Sequence, residues 1–128
     1  MNIYKFMNIA KEESKKSTLT DWRIGAVIVK GNKIISRGHN KFSGKMKIIE
    51  QKYNIKLWSL HAEMLAIMDC TEDLNGAVLF IAGTKMNGNT VYCRPCKYCM
   101  KMIKQFSFHA IYYLTKDGFE AIYPNKEK

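Results

Sequence analysis

The sequence predicts an α/β domain with helices packed on a central sheet. Three observations predict it. Apolar residues recur at helical spacing near the start, β-branched runs alternate with later helical stretches, and turn residues separate them. The chain has 128 residues and is 47% hydrophobic, enough to core one domain spanning 1–128.

The elements follow in order. Ile3, Phe6, Met7 and Ala10 fall at i, i+3, i+4 and i+7, one apolar helix face. "GAVIV" and "KIIS" are β-branched runs joined by "KGNK", whose Gly and Asn suit a tight hairpin. The excursion 41–60 is either a segment near the site mouth or a surface loop; a short helix there would have Ile49, Tyr53 and Leu57 on one side and Lys45, Lys52 and Lys56 around it. His61 to Cys70 is a helix with a broad apolar face from Met64, Leu65, Ile67 and Met68. "NGAVLFIAGT" is nearly continuous in apolar residues, as expected of a strand covered on both sides. "KMNGNTVYCR" is a loop, Cys96 to Phe106 a second core helix, and "HAIYYLT" a strand. Tyr112 and Tyr113 alternate on it, one toward the core. Asp117-Gly118 turns the chain into "FEAIY", a last short strand expected to run antiparallel. The order is α-β-β-α-β-α-β(-β).

Composition narrows the function. No apolar run approaches the roughly 18–20 residues of a membrane span. "MNIYKFMNIAKEESKK" lacks the apolar core of a signal peptide. A cytoplasmic protein without a membrane partner is expected. Its cysteines are then thiols, and Cys93, Cys96 and Cys99 lie within seven residues, which favours metal binding. The net charge of +10 comes mostly from Lys, with Arg only at 23, 37 and 94. That charge suits small anionic ligands; readers of polynucleotides more often use Arg forks.

Cys96 and Cys99 are three apart at a predicted helix start, so they share a face, and the helix dipole favours thiolates there. His61, at the start of the other helix, adds an imidazole nitrogen. A Cys2His set leaves one position open, the pattern of catalytic rather than structural zinc. Glu63, two residues from His61, can reach that position and act on water as general base, then general acid. The combination suits hydrolysis at an electron-poor ring carbon that bears an amine.

"HAE" followed by "PCKYC" resembles the zinc signature of the cytidine and deoxycytidylate deaminase superfamily. The order of elements from Trp22 to about Thr115 resembles that family too, and the layout is most similar to its deoxycytidylate branch. The resemblance implies a three-layer fold with a mixed sheet of four to five strands. It implies that His61, Cys96 and Cys99 bind Zn2+ and that Glu63 shuttles protons. It implies that Asn40 contacts sugar or base, that the Ala62 N–H meets the base carbonyl, and that the Arg94 carbonyl accepts from the exocyclic amine. A pyrimidine nucleotide or nucleoside is the implied substrate, and a homo-oligomer the implied assembly. Two alternatives stand beside this. One is a polynucleotide base deaminase, disfavoured because little chain follows "HAIYYLT". The other is a zinc-stabilised binding module with Cys93 as fourth ligand, in which Glu63 would have no purpose. His39, Cys70 and His109 are read as packing or surface residues.

Overall fold

The computed structural model describes residues 1–19, 22–42, 45–57, 59–87, 89, 91 and 93–125. Its elements are α1 (Ile3–Ser14), β1 (Arg23–Lys30), β2 (Lys33–His39), α2 (Lys45–Tyr53), α3 (Ala62–Asp69), β3 (Val78–Thr84), α4 (Lys97–Ile103), β4 (Ala110–Thr115) and β5 (Gly118–Ile122). The strands form one mixed sheet in the order β2-β1-β3-β4-β5, parallel only between β3 and β4. A parallel pair needs a crossover, and α4 lies on that connection.

Alternation along the strands divides the core between the two faces. Val27, Val29, Val78, Phe80 and Ala82 pack with Phe6, Met7 and Ala10 of α1. Ala26, Ile28, Leu79, Ile81, Ile111 and Tyr113 pack with α2, α3 and α4. The result is three layers. β3 is buried at every position, which explains its unbroken apolar run. Each expected strand forms, and β5 runs antiparallel to β4.

The hairpin joins Lys30 to Lys33 through Gly31 and Asn32, at φ +58° and +62°. Two consecutive positive φ values are what a primed two-residue turn requires, and Gly and Asn reach them most easily. The register shifts between Ile28 and Val29, opposite Ser36 and Ile34, so Ile35 is the extra residue of a bulge in β2. The excursion does contain a helix, α2, burying Ile49 and Tyr53, but it ends at Tyr53, so Lys56 and Leu57 lie beyond it. α4 is shorter than the expected Cys96–Phe106, because residues 104–106 leave the helix as turns and a bend. Positions 43, 44 and 58 of the excursion, and 88, 90 and 92 of the expected loop, lie outside the described residues.

Two contacts set the depth at which the helices lie. A Cβ on Gly25 would sit 2.2 Å from the Ala10 carbonyl oxygen, and one on Gly38 would sit 2.5 Å from the Ala62 oxygen and 2.7 Å from the Ala66 nitrogen. These are backbone atoms, which cannot swing aside. Gly38→Ala is therefore expected to lift α3 from the sheet and destabilise the fold by about 2–3 kcal/mol. A lowered denaturant midpoint checks this; an unchanged midpoint contradicts it.

Candidate active site

α3 and α4 both begin at one end of the helical layer. His61 is the N-cap of α3 and Cys96 the N-cap of α4, where the Cys96 sulfur accepts from the Cys99 N–H at 3.4 Å. The ligand atoms of His61, Cys96 and Cys99 lie within 4.8 Å of one another. His61 presents Nδ1, at 3.0 Å from Cys99 Sγ and 3.6 Å from Cys96 Sγ. A tetrahedral zinc with ordinary Zn–S and Zn–N bonds needs a nitrogen-to-sulfur separation of about 3.6 Å. The donor set fits in number and type; the separation to Cys96 matches, and that to Cys99 is about 0.6 Å shorter.

The protonation of these groups points the same way. A hydrogen bond from the Cys99 side chain, then one from His61, holds the Cys96 thiol down at about 3. Burial pushes the Cys99 thiol up, and the hydrogen bond to Cys96 raises the His61 imidazole. Three ionisable donors thus compete for protons within a few ångströms of one another. Cys93 stands apart. Its thiol donates to the carbonyls of Ile81 at 3.4 Å and Leu114 at 3.5 Å, and burial pushes it up to about 12. It is packed into the sheet, outside the cluster.

A cavity of about 660 Å³ opens beside the cluster, lined by residues that include Trp22, Ile24, Asn40, Phe42, His61, Ala62, Glu63, Cys93, Arg94 and Cys96. All the residues expected to contact substrate line it. Glu63, on the first turn of α3, is 5% exposed. Burial is the main cause of its raised proton affinity, opposed in part by the charge on His61. As first residue of α3, Ala62 carries an N–H that a helix start leaves without an intrahelical acceptor.

Asn40 has a structural duty as well. Its Nδ2 donates to the Trp22 carbonyl at 2.6 Å and its Oδ1 accepts from the Ile24 N–H at 2.8 Å, clamping the end of β2 to the start of β1. Three bonds tie the C-terminal end of α1 to the same region. Glu13 Oε2 lies 2.8 Å from His39 Nδ1, Ser14 Oγ lies 3.0 Å from Thr84 Oγ1, and Ser17 Oγ donates to the Asn40 carbonyl at 2.7 Å. Arg94 is exposed at the rim, its guanidinium over the Tyr113 ring with Nη1 donating to the Tyr113 hydroxyl at 3.0 Å. That hydroxyl donates in turn to Glu120. Tyr113 is thus the tyrosine on the helical face, while Tyr112 stacks on Phe80 opposite.

Sequence reasoning missed the aromatic mouth of the cavity. Trp22 and Phe42 are 53% and 61% exposed, and Lys85 Nζ lies 5.7 Å from the Trp22 ring. An aromatic in each of two polar stretches, "LTDWR" and "HNKFSGK", was the available signal.

The sequence matches the family described as the cytidine and deoxycytidylate deaminase zinc-binding region over residues 1–115. The chain belongs to this family. Members of the cytidine and deoxycytidylate deaminase family are hydrolases acting on C–N bonds, and zinc is the cofactor. Among curated proteins none matches the chain in sequence. Among solved structures it is similar to the dCMP deaminase of cyanophage S-TIM5, at 23% identity and TM-score 0.61, covering 87% of this chain and 80% of that one. It is also similar to the cytidine deaminase of Burkholderia pseudomallei, at 14% identity and TM-score 0.68, covering 98% and 95%. At these identities the likeness is one of fold. Among the described residues no helix is long and apolar enough to cross a membrane.

Two outcomes test the metal site. Cys99→Ala is expected to lose stoichiometric zinc and Cys93→Ser to keep it, measured by elemental analysis of the purified variants. A Cys93→Ser protein without zinc would restore the four-ligand structural site. Because zinc displaces the protons that Cys99 and His61 hold, binding to metal-free protein is expected to release protons and to tighten as pH rises. Calorimetry in buffers of different ionisation enthalpy measures the release.

Proposed function

We propose that this deaminase converts a cytosine nucleotide or nucleoside to its uracil form, with deoxycytidylate the first choice. The observation that carries the reading is a cluster of three metal donors, two of which line a cavity together with one buried carboxylate. In this reading His61, Cys96 and Cys99 would hold zinc, and Glu63, on the first turn of α3, would serve the reaction beside it. When bound, zinc supplies Lewis acidity, taking the pKa of a coordinated water from about 15.7 to roughly 7.

Glu63 moves the protons. Its carboxylate accepts one from the attacking water and delivers it to the base, and a further proton leaves with the amine as ammonia. Water adds at C4, the C4–N bond breaks, and a carbonyl replaces the amine. Enclosure suits this work, since a buried carboxyl holds a proton longer than an exposed one. The Ala62 N–H would donate to the base carbonyl and the Arg94 carbonyl would accept from the exocyclic amine, so the ring is oriented by backbone. The remaining amide hydrogen of Asn40 is available to the sugar or base. The Arg94 guanidinium, held by Tyr113, would put positive charge at the rim beside an anionic group. Residues 1–128 are read as one domain, at work in the cytoplasm as a homo-oligomer.

The exposed Trp22 and Phe42, with Lys85 beside the former, favour a second reading. Neighbouring bases of a single strand could stack there, which would make the substrate a polynucleotide. A steep salt dependence of oligonucleotide binding would support it.

Ammonia release from a panel of cytosine nucleosides, nucleotides and oligonucleotides decides between the two. In the same assay Glu63→Gln is expected to lose activity by about 10²–10⁴-fold while keeping zinc content and thermal midpoint. A variant that stays active removes Glu63 from the chemistry.

A further inference from the structure

Three buried polar side chains line the cavity, namely Asn40, Glu63 and Ser59. Asn40 clamps two backbone groups, and Glu63 has the proton work. Ser59 is 7% exposed, and among the described residues its hydroxyl makes no hydrogen bond; it is not one of the fully enclosed atoms, so the surface it keeps belongs to a residue that lines the cavity. A hydroxyl kept unpaired in a cavity of this size is available to whatever enters it.

Its position says which part of the ligand it meets. The Leu60 N–H donates to the Lys41 carbonyl at 2.8 Å and the Lys41 N–H donates to the Leu60 carbonyl at 3.1 Å. This bridge holds Ser59 beside the end of β2, next to Asn40 and Phe42, two residues before His61. The reacting ring carbon has to lie against Glu63, so the base fills the depth of the cavity. The next part of the ligand outward lies at the level where the chain steps from His61 back to Ser59. A cavity of about 660 Å³ has room beyond a pyrimidine ring.

Chemistry narrows it further. A serine hydroxyl donates and accepts at once, which complements another hydroxyl. An anionic group would call for donors alone, and Arg94 already offers those at the rim. We propose that Ser59 is a substrate-binding residue that hydrogen-bonds a hydroxyl of the substrate's sugar. The assignment rests on the reading of Glu63 as the group that faces the reacting carbon.

The test uses the zinc-loaded full chain, with Ser59→Ala and Ser59→Thr beside wild type. KM and kcat are measured for deoxycytidylate and deoxycytidine, together with inhibition by free cytosine. Ser59→Ala is expected to raise KM for both sugar-bearing substrates by about 3–10-fold, the loss of one neutral hydrogen bond. It should leave kcat within about twofold and inhibition by cytosine, zinc content and thermal midpoint unchanged. Ser59→Thr, which keeps the hydroxyl, should restore most of the loss. An unchanged KM in Ser59→Ala, or an equal weakening toward free cytosine, overturns the assignment and leaves the deaminase reading standing. A wild-type protein that turns over neither substrate overturns that reading and the assignment together.

Discussion

Where His61 and Glu63 stand depends on how deeply α3 can settle on the sheet. Gly38 sets that depth, because its missing side chain lets the first turn of α3 lie against β2 at the distance of backbone contact. The N-cap histidine and the carboxylate two residues later are carried on that turn. A helix standing one methyl group higher would move both away from the cysteines. The chemistry of the site thus leans on an absence of atoms more than on any bond.

The opposite half of the cluster is set by topology. β3 and β4 are parallel, so the chain must return along one face between them, and α4 lies on that return. α4 lands on the same face as α3, and the starts of the two helices meet. Each start has one of the prospective ligands at its N-cap position, though only Cys96 caps with its side chain. The hydrogen bond from the Cys99 N–H to Cys96 Sγ orients one sulfur before any ion is considered. Packing of the first turn places the other. The cavity wall is then completed by the end of β2, by the first residues of β1 and by Arg94.

Much of this was legible in the chain. Spacing of three between cysteines, spacing of two between His61 and Glu63, and a proline before Cys96 specify helix starts and donor types almost by themselves. The hairpin was legible because Gly31 and Asn32 are the residues that positive φ demands. Strand alternation said that Tyr112 and Tyr113 face opposite sides. Only the pairing of Ile81 with Tyr113 and the helices on that face decide which one meets Arg94. The direction of Cys93 was not legible either, since a cysteine in a loop points where the tertiary path takes it. Here that path ends at two carbonyls of the sheet. Ser59 carried no pattern, and its isolation becomes visible only when its neighbours are known. The early end of α4 was hidden as well, because Lys104 to Phe106 would suit a helix or a turn.

The bonds from Glu13, Ser14 and Ser17 give the N-terminal helix a stake in the cavity it never enters. Each fastens the last turn of α1, or the residues just after it, to the end of a strand, and one of the three partners, Asn40, lines the cavity. Fraying of that turn and loosening of the cavity wall are therefore one local unfolding event rather than two. Anything that occupies the cavity draws on the same equilibrium. It would slow amide hydrogen exchange in α1, on the far side of the sheet from the metal donors.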